Sequence, residues 1–439
     1  MSRICPLITA AEEMIYPAFM SRVLGVLLFP AGCLCLAILF GLPGAAYAPD
    51  AGQYRLLALG QRDAVAAPFS ARILGPAVAG LLGRVTGLGV DTGFMLLGIA
   101  CLVALLALIA GLLWSWRAPV AIFAGVFLMP FWVDIFHDYY LPDLLHATIL
   151  AAILLCLLFG HTGLALFLLL PAYLARESTL LLALCLIFAC WRRISLRSAG
   201  VGLLAMAAAV LVSRHYGQSA PPSVHGLGGG AYILGKVFWS LFKNFAGLPL
   251  WSNTLPECNP IWVTALPRPL GAIRSVGICP PSLWGPGRLF LAWFGIFGIG
   301  PALAAVLWPK IRLIVSGQER DLELTPGMVI VFRLCIVYGG ISILITPLLG
   351  ASADRLVEYG WPFYFVVLPW FISASYELHG FRWAWILLLH LLTCWVAWFG
   401  FRQQTPSFLL AALTVLALNG VTYTLIRRSD RFSPKFSLR

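Results

Sequence analysis

The chain has 439 residues, of which 61% are hydrophobic and 10% charged, with a mean hydropathy of +0.92. A soluble domain carries about a quarter charged residues, so a water-soluble fold is excluded. Lysine and arginine outnumber aspartate and glutamate 29 to 17, a net charge of +12; in so apolar a chain the excess reports which loops face the cytoplasm, and no nucleic-acid partner is expected.

Continuous apolar runs of about 17 to 25 residues recur along the chain, the length an α-helix needs to cross ~30 Å of hydrocarbon. They lack the strict alternation of β-barrel strands. The first, Met20 to Leu42, begins after Arg3 and is longer than the apolar core of a signal peptide, so it reads as a retained first helix. Further spans are expected near 92–116, 119–135, 143–159, 161–175, 178–191, 198–213, 289–308, 327–349, 360–376, 383–400 and 406–426. The sum is an all-α polytopic bundle of about twelve spans. Reading 161–191 as one span would bury Arg176 and Glu177 in lipid, so two short helices are expected there.

Two stretches between spans are long. The first, 43–91, contains the apolar segment Ile73 to Leu88, which is short for a crossing and interrupted by Gly75, Pro76 and Arg84, as in an interfacial or re-entrant segment. The second, 214–288, is rich in Gly, Pro, Trp and Asn, and its length predicts an ordered functional loop or small lid. The chain thus divides into an N-terminal transmembrane half (1–213), a long extracytoplasmic loop (214–288) and a C-terminal transmembrane half (289–439). No internal repeat of the inverted-transporter kind is visible.

With the N-terminus inside, the inner loops hold Arg117, then Arg192, Arg193 and Arg197, then Lys310, Arg312 and Arg320, then Arg382, and finally the basic tail from Arg427 to Arg439. The short outer loops hold only Arg176, Arg355 and Arg402. The positive-inside rule therefore predicts cytoplasmic termini, and the expected location is a bacterial inner membrane. Most of the eleven cysteines lie in apolar runs, where a thiol is a small hydrophobe. Cys258 and Cys279 share the long outer loop and are expected to form a disulfide in that oxidising compartment.

In this orientation ten of the seventeen acidic residues face outward or sit at outer ends of spans: Asp50, Asp63, Asp91, Asp134, Asp138, Asp143, Glu177, Glu257, Asp354 and Glu358. A reaction site is expected on that face. A carboxylate at the water–membrane boundary can deprotonate an acceptor hydroxyl, an acidic and His cluster such as His137-Asp138 can hold a divalent cation, and Arg176 or Arg355 matches a phosphate by two parallel hydrogen bonds. Each feature also has a structural reading: Asp50 as a helix end, His137-Asp138 as a solvated turn, Arg176-Glu177 as a local ion pair, Asp354-Arg355 as a loop pair.

The order of Asp50 with Gln53 and Tyr54 past the first span, then Pro68-Phe69-Ser70-Ala71-Arg72-Ile73-Leu74-Gly75-Pro76, then an acidic motif in the second outer loop, resembles the GT-C superfamily of integral membrane glycosyltransferases. The turns Arg176-Glu177 and Asp354-Arg355 are similar to positions in its bacterial members. The resemblance implies that Asp50 is the catalytic base or the residue that positions the acceptor, with His137 and Asp138 also catalytic, and that Gln53, Tyr54, Arg72, Arg176, Glu177, Asp354 and Arg355 bind substrate. It also implies a polyprenyl-phosphate-linked sugar donor and a lipid, glycan or protein acceptor at the outer face. The family's second-loop motif has two acidic residues and this chain departs from it by keeping one, so a divalent metal, magnesium or manganese, would have Asp138 as its single carboxylate there. Two other functions compete: a secondary transporter or flippase, and a ligase or polymerase of surface polysaccharide. Neither needs Asp50.

Overall fold

A segment in hydrocarbon must satisfy its backbone hydrogen bonds internally, and the regular structure among the described residues is accordingly helical apart from one small sheet. The structure is a computed structural model that describes residues 23, 25–41, 50–65, 69–116, 118–190, 194–217, 229–248, 250–252, 263–265, 275–278, 280–318, 324–349, 357–375, 381–402 and 407–429. Among the described residues, six helices are long and apolar enough to cross a membrane: Val90–Ser115, Val120–His137, Leu196–Tyr216, Pro326–Ile345, Trp383–Phe401 and Phe408–Arg427. A bent pair, Gly285–Gly295 with Gly300–Ser316, makes a seventh if counted as one span. Four apolar helices are shorter: Gly25–Gly41, Asp143–Leu158, Thr162–Ala175 and Thr179–Ala189. This is an integral membrane protein.

The N-terminal half begins with α1 (Gly25–Gly41), the short α2 (Ala51–Ala58), α3 (Leu74–Thr86) and α4 (Val90–Ser115). The apolar segment expected from 73 to 88 is thus a helix of 13 residues, folded back on α4 through a turn at Gly87 and Gly89. The two helices pack with little between them, because a Cβ on Gly93 would lie 2.0 Å from the Ala79 carbonyl oxygen. Small residues that let backbones approach are the usual means of helix association in lipid.

Next come α5 (Val120–Phe127), α6 (Phe131–His137), α7 (Asp143–Leu158), α8 (Thr162–Phe167), α9 (Leu169–Ala175), α10 (Thr179–Ala189) and α11 (Leu196–Gly217). The span expected near 119–135 is interrupted at Leu128–Pro130. Proline has no N–H, so Pro130 leaves the Val126 carbonyl without its helical donor. The Trp132 indole takes that carbonyl at 2.8 Å, while His390 Nε2 and Trp395 Nε1 donate to the carbonyls of Gly125 and Leu128 at 2.9 and 3.2 Å. Trp132 then stacks on Phe365 at 5.4 Å, with Phe131 edge-on to the same ring at 4.9 Å, in the centre of the largest core cluster.

The 214–288 stretch carries α12 (Gly229–Ala246) and a three-stranded antiparallel sheet, β1 (Leu250–Ser252), β2 (Val263–Ala265) and β3 (Ser275–Ile278), in the order β1-β3-β2. The expected span near 289–308 is corrected to two helices, α13 (Trp284–Gly295) and α14 (Gly300–Ser316), bent by 57° at a break. Gly298 sits in that break at φ +57°, where an added Cβ would lie 2.4 Å from His390 Nδ1. Then follow α15 (Pro326–Leu349), a π-helical turn at Phe363–Val367 leading into α16 (Leu368–Ser375), α17 (Phe381–Arg402) and α18 (Ser407–Ser429).

Candidate functional site

Successive helices run back and forth, so the starts of α4, α7 and α10 and the ends of α6 and α9 gather at one end of the bundle. Two polar clusters form there. In the first, the Arg72 guanidinium grips the Glu177 carboxylate with two nitrogens, Nε donating to Oε2 at 2.7 Å and Nη2 to Oε1, while Nη1 donates to the Tyr54 hydroxyl at 2.8 Å. Arg176 pairs with Asp143, and its guanidinium lies 4.5 Å from the centroid of the Tyr359 ring. His146, one turn beyond Asp143 on α7, reaches Thr179 Oγ1 at 3.1 Å and meets the Tyr359 ring edge-on. In the second cluster, Asp91 accepts from Arg55 Nη2 at 2.7 Å and from the Tyr140 hydroxyl at 2.9 Å.

The backbone explains how neighbours in sequence serve different partners. α9 ends at Ala175, and Arg176 is extended at φ −158°, ψ 133°, which turns successive side chains to opposite sides. Arg176 therefore enters the bundle toward Asp143, and Glu177 turns toward Arg72. The expected alternative of a local Arg176-Glu177 ion pair gives way to two pairs that tie α9–α10 to α7 and to the loop before α3.

The charge states follow. Burial alone would push the Glu177 carboxyl up, but the adjacent Arg72 guanidinium, by charge and hydrogen bonding, overrides it and holds Glu177 down at about 2. Burial would lower the Arg72 pKa, and the Tyr54 and Glu177 partners reverse this, so Arg72 stays cationic. The Tyr54 hydroxyl is pushed up by burial and stays protonated. Arg72 and Glu177 thus act as fixed charges at neutral pH, while Tyr54 is a neutral hydroxyl beside them.

The residues singled out in the sequence are distributed as follows. Tyr54, Arg72, Arg176 and Glu177 meet in the first cluster. Asp50 stands half-buried at the N-terminus of α2, its carbonyl accepting from the Gln53 amide at 3.1 Å, one turn before Tyr54. Gln53 is half-buried beside it. His137 ends α6, and its Nδ1 donates to the Gly41 carbonyl at 3.1 Å, joining that helix to the end of α1. Asp138 follows as the cap of α6, its carbonyl accepting from Leu141. Among the described residues no three His, Cys, Asp or Glu side chains gather as a metal site. Asp354, Arg355, Cys258 and Cys279 lie outside the described residues.

Sequence reasoning gave no role to Asp143, His146, Thr179 or Tyr359, nor to the Arg55–Asp91–Tyr140 cluster. One signal was available: Asp143 and His146 are three residues apart at the start of a helix and so share a face. Tyr359 is brought in from across the bundle and carries no local signal. No family model, curated protein or solved structure matches this chain.

Proposed function

We propose that this protein is a membrane glycosyltransferase that moves a sugar from a polyprenyl-phosphate donor to a lipid, glycan or protein acceptor at the extracytoplasmic face. One observation carries the reading. Four residues expected to bind substrate, Tyr54, Arg72, Arg176 and Glu177, come from three separated segments and converge at one end of the bundle, with Asp50 one turn away from Tyr54. The shorter apolar helices, added to the long ones and the bent pair, support a reading with about twelve passes. The basic loops then lie at the opposite end from the cluster, in the cytoplasm with both termini, as in a bacterial inner membrane.

In this reading Asp50 accepts the proton of the acceptor hydroxyl as its oxygen bonds to the anomeric carbon. The bond from that carbon to the phosphate oxygen breaks, and polyprenyl phosphate leaves with the electron pair. Arg72 and Arg176 face the phosphate, the delocalised guanidinium being suited to two-point recognition of it. Glu177 and Asp143 hold the two guanidiniums in place, which lowers the cost of ordering them when ligand arrives. Arg355 is a further phosphate ligand in this reading, and Asp354 its neighbour. No step runs through a metal.

The test is turnover in proteoliposomes loaded with a polyprenyl-phosphate hexose labelled in the sugar, with a membrane extract as acceptor source. Release of polyprenyl phosphate by the wild-type protein and its loss in Asp50→Asn are expected. Absence of release from a panel of such donors, with uptake of a labelled solute instead, would replace the reading by a transporter.

A further inference from the structure

Backbone interruptions are costly in hydrocarbon, where a freed amide or carbonyl has no water to turn to, and they persist where they are buried in protein or line a cavity. Three of them surround one space in this protein. They are the Leu128–Pro130 break between α5 and α6, the 57° break at Gly298 between α13 and α14, and the π-helical turn at Phe363–Val367. The space is about 90 Å3, and α17 closes its fourth side with Ile386, Leu387 and His390.

The lining decides what the space accepts. It is apolar but for His390, the Tyr364 hydroxyl and the Trp383 indole. The His390 Nε2 proton is already committed to the Gly125 carbonyl, since a carbonyl can only accept. A charged ligand would be stripped of water without compensation. An ordered water needs two to four polar partners, roughly, and nearly all of the exposed lining is apolar. The matching occupant is hydrocarbon. On α17, Ile386 and Leu387 line the space while Trp385 and Leu388 are 50% and 51% exposed on the outer surface of the same helix, so the cavity lies directly behind the lipid-facing surface and continues it inward.

We infer that this cavity takes a short stretch of one acyl chain of a bilayer phospholipid, which enters beside α17 and fills the space that the three backbone breaks leave open. The bound chain packs against Phe297, Leu303 and Phe365 and holds the broken segments at their observed angle. The inference rests on backbone and cavity alone and stands independently of glycosyl transfer.

The experiment uses the full chain in nanodiscs containing a phospholipid with a photoreactive diazirine in mid-chain, in parallel with nanodiscs carrying a photoreactive polyprenyl phosphate. Cross-linked peptides are mapped by mass spectrometry, and the cavity is filled by Ala121→Phe. The phospholipid probe is expected to label the 121–129 and 383–390 segments of the wild-type protein, with labelling falling at least tenfold in the filled variant at unchanged labelling of the outer helix surfaces. Label confined to outward-facing residues of the wild-type protein would overturn the site, whether or not Ala121→Phe folds. Label in the cavity from the polyprenyl probe alone would overturn the acyl-chain assignment.

Discussion

The Arg176 guanidinium pairs with the Asp143 carboxylate across the bundle, although Glu177 is its neighbour in the chain. Both side chains are 10% exposed, and the Tyr359 ring covers the guanidinium at 4.5 Å. The charge of each is therefore compensated mainly by the other, and removing one leaves its partner in a poorly solvated place.

Asp143→Asn is accordingly expected to destabilise the protein by about 3–5 kcal/mol, the cost of breaking a buried pair from one side. Arg176→Gln should cost a similar amount, and the double variant should cost clearly less than the sum. Thermal unfolding in detergent followed by tryptophan fluorescence checks this; additive losses would mean that the two charges are solvated separately.

The Arg72–Glu177 pair carries a pH signature. The folded-state pKa of Glu177 is depressed from an ordinary 4.5 to about 2. A depressed carboxylate contributes stability that is fully present above 4.5 and is lost as pH falls through about 2. The Glu177 side chain is 39% exposed, so solvent screens part of the effect. The midpoint of thermal unfolding should fall with acidification across this window, and the slope should flatten in Glu177→Gln. An identical slope in that variant would assign the acid sensitivity elsewhere.

Asp50→Asn keeps the size and most of the hydrogen bonding of the side chain but cannot accept a proton. It should lower glycosyl transfer by roughly 10² to 10⁴ with normal expression and insertion. Near-normal transfer by a well-expressed variant would move the base to Asp138 or remove it from this cluster.

The α3–α4 approach distinguishes two glycines on one helix. Gly93→Ala would drive its methyl into the Ala79 carbonyl, which must shift, and is expected to cost about 1–3 kcal/mol. Nothing lies within 4 Å of a Cβ at Gly111, in the same helix. Gly111→Ala should be neutral or stabilise by up to about 1 kcal/mol through helix propensity. Equal behaviour of the two variants in thermal unfolding would show that α3 does not pack closely on α4.

Apolar run length is a local property, and it predicted helices through the two transmembrane halves but not α2 or α12, which lie in stretches read as loops. It could not predict where a run is broken. Pro130 sits in an otherwise continuous apolar stretch, and the stretch survives as α5 and α6 because Trp132, His390 and Trp395 take carbonyls around the break. Two of these donors lie more than 250 positions away in the chain. The sequence also marked Tyr54 and Arg72 through the motif order that resembles the GT-C superfamily, and Arg176 and Glu177 as charges between apolar runs, which are costly unless they have a purpose. It could not tell which carboxylate serves which guanidinium. That choice is made by the extended backbone at Arg176, which sends two neighbouring side chains in opposite directions, and by the packing of α7 and Tyr359 against the turn. Hydrophobicity acts residue by residue and can be read along a line; ion pairing depends on the few ångströms between atoms that only the assembled helices bring together.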